Sequence, residues 1–302
     1  MYVPLLKAVS SEDEQLNLQV TSFVTFHPRS SSMLHSINQS TIHRYENFNH
    51  RYNGFVGTNF TNAWKGKHSL FGLDIHQPDK EGVERTFIFF SSVKAAADSV
   101  PGDVLTEDVV PAPVGPYGES KIRAEEYILN KLSAVSDQLL DKRVYILRPC
   151  MIHGPGNKGN LNLLYSVVKK GIPWPLGAYE NRRSFCSIDN ISYVVEQLIV
   201  KENIESGIYH VGDDESLSTN ELIRLIGESV GRKSHIWQLP KGLMNAAAAI
   251  GGALKLPLNK ERLRKLTENY VVSNNKIKRA LGIDRMPVSG REGMQKTLES
   301  FR

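Results

Sequence analysis

From residue 53 onward the sequence alternates short apolar runs with stretches of 3.6-residue period, and this alternation constrains the fold more than any other feature. It predicts an α/β domain built on a parallel sheet. Five runs fit strands: 70–74 (LFGLD), 87–91 (FIFFS), 144–147 (VYIL), a shorter 185–188, and 208–211 (IYHV). Helices are expected after Gly57, over about 120–132, 161–170 and 189–200, and from Ser218, where Glu221 three residues on completes a capping box. The stretch 243–254, with four consecutive alanines, reads as a packed helix rather than a membrane segment.

Residues 1–50 have a different character. They hold eight serines and no glycine, whereas all 23 glycines lie between Gly54 and Gly293. In this leader, 18–26 (LQVTSFVTF) has strand composition, and much of the rest is expected to be poorly ordered. The 40% hydrophobic content of the 302 residues excludes a disordered or fibrous chain. Cys150 and Cys186 are too few and too isolated for a disulfide framework or a zinc site, so no metal is expected, and a reducing cytoplasm is the simplest compartment. No apolar run is long enough to span a bilayer, and neither signal peptide, anchor nor membrane partner is expected. The net charge of +5 does not imply nucleic acid, and the basic stretch from Lys260 to Arg279 has Tyr270 as its single aromatic, too little for a stacking platform.

Two motifs point to chemistry. In Tyr117-Gly-Glu-Ser-Lys121 a spacing of four places phenol and ammonium on one helix face, where a nearby cation would favour the phenolate and make Tyr117 a usable acid/base. Ser92, at the end of FIFFSS, falls where a parallel sheet presents its carboxyl edge to ligands, and its hydroxyl can share a substrate proton with Tyr117. The second motif, Asn53-Gly-Phe-Val-Gly57, is followed 17 residues after Gly57 by Asp74. Glycines there let a backbone approach a pyrophosphate, and an acid at that distance bonds the adenosine ribose, favouring NAD over NADP.

With GFVG, FFSSV, PYGESK, LRPCMIHGPGNKGNL, NRRSFCSIDN, YHVGDDESLS and SNNKIKRALGI in order, the chain from Asn53 to the C-terminus resembles the extended short-chain dehydrogenase/reductases, and among them the NAD-dependent epimerases/dehydratases of the UDP-glucose 4-epimerase type. The resemblance implies that Tyr117 is the acid/base, that Lys121 binds the nicotinamide ribose and tunes Tyr117, and that Ser92 bonds the reacting hydroxyl. It assigns the cofactor to Gly54, Phe55, Val56, Gly57, Asp74 and Ser91, together with Tyr117 and Lys121. Asn160 and Arg183 correspond to the groups that face the substrate diphosphate, with Arg182 a substitute for the latter; His153 reads as a loop residue. The implied partners are a UDP-sugar and a second copy of the chain, the latter docking through the helix that bears Tyr117.

The sequence departs from that pattern at two places. Arg51 stands where the first glycine of G-x-x-G-x-x-G would fall, and IHRYENFNH precedes it instead of an apolar strand. Asp74 and Ser92 are 18 residues apart, too close for the two strands and helices the family has between them. The expected fold is therefore an α/β, Rossmann-like parallel sheet that is incomplete, with a smaller C-terminal substrate-binding subdomain. Its expected parts are a leader (1–50), a truncated NAD-binding part (51–155, receiving 184–212) and the substrate part (156–183 and 213–302). The implied reaction is 4-epimerisation of a UDP-hexose or UDP-N-acetylhexosamine through a 4-keto intermediate, as in polysaccharide biosynthesis. The same residues also suit a 4-keto reductase using NAD(P)H, and the missing strands suit an inactive remnant that binds a UDP-sugar.

Overall fold

Strands form where β-branched and aromatic residues run together, and helices where caps open amphipathic stretches. The computed structural model describes residues 24–27, 55–56, 59–60, 69–72, 86–134, 143–157, 159–253 and 259–301. Its strands are β1 (Val24–His27), β2 (Ser69–Gly72), β3 (Thr86–Phe90), β4 (Arg143–Pro149), β5 (Met151–His153), β6 (Phe185–Ser187) and β7 (Gly207–Val211). Its helices are α1 (Val93–Ala96), α2 (Pro116–Ala134), α3 (Asn160–Lys169), α4 (Ile188–Val200), α5 (Thr219–Ser229), α6 (Lys241–Ala253), α7 (Lys260–Thr267), α8 (Asn275–Leu281) and α9 (Gly290–Glu299).

The central sheet is parallel, in the order β3-β4-β7, and β5 and β6 form a second parallel pair. This is the Rossmann-like α/β arrangement in a small sheet. From Val144 onward every residue of β4 is buried, as a strand covered on both faces requires. The expected strand at 70–74 is β2, but it pairs antiparallel with β1 of the leader instead of entering the parallel sheet. β1 also approaches β3, although no ladder joins them. Leu73, Asp74, Arg51, Gly54 and Gly57 lie outside the described residues, as do 18–23 of the expected leader strand.

Among the described residues there are three apolar clusters. One joins β3, β4, β7 and α4 to residues 270–286, a second joins α3, α5, α6, α7 and α9, and a small third packs Ala124 of α2 with Phe89 of β3 and Ile146 of β4. The capping box at Ser218 and Glu221 opens α5, and an equivalent box at Ser289 and Glu292 opens α9. α2 begins at Pro116, earlier than the expected 120, because proline is preorganised for a first helical position. His153 is a buried residue of β5 rather than a loop residue: its ring meets Thr297 Oγ1 at 2.9 Å and Asp213 Oδ2 at 3.3 Å. Asp213 also accepts from the Ser187 amide and the Asn190 side chain, so this network ties β5 and β6 to α4 and α9.

A second buried histidine carries a pH dependence. His210 on β7 lies in register with Arg148 on β4, its backbone N–H donates to Glu107, and neither ring nitrogen has a hydrogen-bond partner. Burial, reinforced by the charges of Arg148 and Lys276, pushes its pKa from 6.5 down to about 4, against a weaker opposing effect of the Leu105 backbone. The unfolded chain therefore takes up this proton first as pH falls. The associated stability, about 3 kcal/mol, is complete above about pH 6.5 and is lost as pH falls toward 4. Chemical denaturation of His210→Gln and the parent at pH 7.5 and 4.5 should show the parent losing about 2 to 3 kcal/mol more than the variant. Equal losses would contradict a neutral buried imidazole.

Candidate active site

Residues of the site gather at the carboxyl edge of β3. The ladder continues one residue past the strand, the Ser91 amide donating to the Leu147 carbonyl at 2.7 Å, and the next residue, Ser92, caps α1 by accepting from Lys94 N at 3.2 Å. α2 crosses close above α1. A Cβ at Gly118 would stand 2.5 Å from the Lys94 carbonyl oxygen, so the residue after Tyr117 must be glycine for the two helices to approach this closely. That approach sets the Tyr117 hydroxyl beside Ser92, close enough for the serine to act on its ionisation.

One face of α2 supplies the next two groups at intervals of four. Lys121 Nζ donates to the Phe90 carbonyl at 3.0 Å and stands 5.3 Å from the Phe89 ring centroid and 6.0 Å from that of Tyr117. Glu125 is fully buried and holds the Arg148 guanidinium through contacts of 3.0, 3.1 and 2.6 Å, while accepting a short hydrogen bond from Ser91 Oγ. Sequence reasoning passed over Glu125, Arg148 and Gly118. The available signals were a carboxylate two turns beyond Tyr117 and an arginine ending an otherwise apolar strand.

The electrostatics differ from the sequence expectation in one respect. Tyr117 is 43% exposed as a residue, but its hydroxyl is the enclosed end, and desolvation raises its pKa above 10 although the Ser92 hydrogen bond works the other way. Lys121 is not among the causes of this shift. Lys121 itself is lowered by burial and partly restored by the negative charge of Glu125.

The remaining expected residues fall in two places. Phe55 and Val56 are helical and lie beside this edge: Asn59 Nδ2 bonds both the Phe55 carbonyl (2.8 Å) and the Pro155 carbonyl (3.2 Å), and Phe60 packs on Phe90 with ring centroids 5.7 Å apart. Asn160 is exposed at the start of α3. Arg183 donates to the Lys265 carbonyl at 2.6 Å, yet its Nε is buried without a partner, and burial lowers its pKa. Arg182 is exposed, and its amide bonds Asn269.

Ultraviolet difference titration of Tyr117, read against Tyr117→Phe, should place its ionisation above pH 10 in the ligand-free protein. Ser92→Ala should move it further up, and Lys121→Met should leave it nearly in place. An upward shift of a pH unit or more in Lys121→Met would restore the lysine as the group that sets this pKa.

Comparison with known proteins gives the same grouping. The sequence model of the 3-beta hydroxysteroid dehydrogenase/isomerase family matches residues 75–241. UDP-glucose 4-epimerase of Vibrio cholerae is 31% identical over 223 residues, which make up 73% of this chain and 64% of that protein. Among solved structures, the UDP-glucose 4-epimerase of Thermus thermophilus in complex with NAD aligns with a TM-score of 0.52 at 22% identity, covering 72% of this chain and 64% of that one. The Thermotoga maritima UDP-glucose 4-epimerase with UDP-glucose aligns with a TM-score of 0.52 at 21% identity, covering 73% and 64%. The two structures share the fold, and the chain spans a little under two thirds of the length of each of these three proteins. On the family match, which takes in β3, Ser92, Tyr117, Lys121 and Arg183, the chain belongs to the 3-beta hydroxysteroid dehydrogenase/isomerase family, within the extended short-chain dehydrogenase/reductases of the NAD-dependent epimerase/dehydratase type.

Proposed function

We propose that this chain is an NAD-dependent nucleotide-sugar 4-epimerase whose substrate is a UDP-hexose or UDP-N-acetylhexosamine. The observation that carries the reading is the Ser92–Tyr117 hydroxyl pair, with Lys121 one turn along α2, at the carboxyl edge of a parallel strand. The names of the Vibrio and Thermotoga relatives supply the substrate class, and the Thermus complex supplies the cofactor.

The nicotinamide end of NAD suits the residues present. Lys121 uses one of its three donors on Phe90 and keeps two for a ribose hydroxyl pair, and Ser91 and Phe55 border the same edge. Gly54, Gly57 and Asp74 would hold the other end. When bound, NAD supplies the reversible two-electron acceptor that lets the C4 carbinol of the sugar become a ketone and return. Tyr117 takes the C4 hydroxyl proton and gives it back, Ser92 holds that oxygen, and Lys121 places a cation beside both. Arg183 has a buried Nε free for a diphosphate oxygen, and Asn160 at the first turn of α3 offers an amide. The two buried thiols, Cys150 and Cys186, suit a reducing cytoplasm.

One observation favours a second reading. The raised Tyr117 pKa keeps the phenol protonated at neutral pH, the form that an NAD(P)H-dependent reductase of 4-keto sugar nucleotides needs as proton donor. The sequence of the cofactor region favours a third, an inactive remnant that binds a UDP-sugar, because Arg51 replaces a glycine and two strands have no room between Asp74 and Ser92.

Incubation with UDP-glucose or UDP-N-acetylglucosamine and NAD should yield the C4 epimer without net cofactor reduction. Tyr117→Phe should lower the rate by about 10² or more, the scale of a lost acid/base. Consumption of NADH on a 4-keto substrate alone would establish the reductase, and calorimetric binding of UDP without turnover would establish the remnant. Oxidation of a 3β-hydroxysteroid in place of sugar turnover would overturn the substrate class.

A further inference from the structure

The charge of this protein is unevenly distributed. Residues 231–265 contain eight lysines and arginines against the single acid Glu261, a net +7, whereas the whole chain carries +5. Everything outside that segment is therefore net negative. In the middle of the basic segment lies α6, and its two sides differ in burial.

Met244 and Ala248 face inward, in the second core with Leu263 of α7. On the other side Leu243, Ala246, Ala247 and Ile250 are exposed, at the i, i+3, i+4 and i+7 spacing of a single helix face. Leu243 is 56% and Ile250 59% exposed, and nothing among the described residues covers them. Trp237, four residues before α6, is 53% exposed. Lys241 begins the helix, and Lys260, Arg262, Arg264 and Lys265 follow on α7, which packs against it. The ion pairs Lys265–Glu261 and Arg264–Asp98 involve basic side chains more than half exposed, and such surface pairs hold their cations weakly.

We propose that α6 and the basic residues flanking it form a docking surface for an anionic lipid membrane. A helix of 13 residues cannot span a bilayer, and no described helix is long and apolar enough to do so. It can lie in the interface, with Leu243 and Ile250 among the acyl chains and the neighbouring cations at the headgroups, where partitioning grows with both apolar area and anionic charge. The absence of a spanning run, which argued from sequence against a membrane partner, leaves this mode open. The inference is independent of the proposed reaction and holds for the epimerase, the reductase and the remnant alike.

The full chain should co-sediment with vesicles containing phosphatidylglycerol and remain in the supernatant with pure phosphatidylcholine, and the bound fraction should fall as salt is raised. Leu243→Ser/Ile250→Ser should reduce partitioning tenfold or more, and Lys241→Glu/Lys260→Glu fivefold or more. Unchanged thermal melting of both double variants would show that the losses lie at the surface. Failure to bind anionic vesicles would overturn the proposal, as would serine and parent proteins that bind them equally. It would also be overturned by sedimentation velocity showing a dimer that the serine pair abolishes, because a second copy would then cover the face.

Discussion

The site depends on one buried ion pair. Glu125 and Arg148 are almost completely withdrawn from water, and each would be costly alone: removing one partner of such a pair typically costs about 3 to 5 kcal/mol because the other charge is left uncompensated. Here the carboxylate is met by two guanidinium nitrogens and the Ser91 hydroxyl, so nearly all its acceptor capacity is used. Glu125 belongs to α2, Arg148 to β4 and Ser91 follows β3. The pair thus fixes the rotation of α2 about its axis, and with it the direction in which Tyr117 and Lys121 point from the preceding two turns.

The same row continues across the sheet. Phe90 pairs with Leu147 and Arg148 pairs with His210, so Ser91, Arg148 and His210 occupy successive strands at one level. Burial, reinforced by the charge of Arg148, keeps the His210 imidazole neutral, so the polar layer beneath the site contains one ion pair and one uncharged histidine rather than two cations. Above it, Gly118 allows α1 and α2 to approach and Ser92 to reach Tyr117. The Ser92 and Tyr117 hydroxyls therefore rest on a polar layer held by the protein's own contacts.

Much of this was legible in the sequence. The runs FIFFS, VYIL and IYHV are strands because their continuous apolarity has no use except burial on both faces, and the Ser218 box opened its helix because capping is a local interaction. The proximity of Ser92 and Tyr117, 25 residues apart, was legible through strand-end logic. Other features were set by tertiary context. Glu125 looks like a solvated helix charge until Arg148 is seen opposite. His153 sits beside Gly154-Pro155-Gly156 and reads as loop, but its partners come from Asp213 and Thr297, distant in sequence. The run at 70–74 was recognised as a strand, but its antiparallel partner in the leader was not, because pairing direction is set by what lies alongside. The expected effect of Lys121 on Tyr117 missed how strongly enclosure raises a phenol.

The most direct test of this account is a double-mutant cycle on Glu125 and Arg148, using Glu125→Gln, Arg148→Met and the pair together, with unfolding free energy and the Tyr117 titration as readouts. The account predicts that each single change destabilises by several kcal/mol, that the double variant loses clearly less than the two losses combined, and that the single variants shift the Tyr117 ionisation although neither residue touches the phenol. Additive losses with an unmoved Tyr117 would contradict it, showing that α2 is held by apolar packing alone.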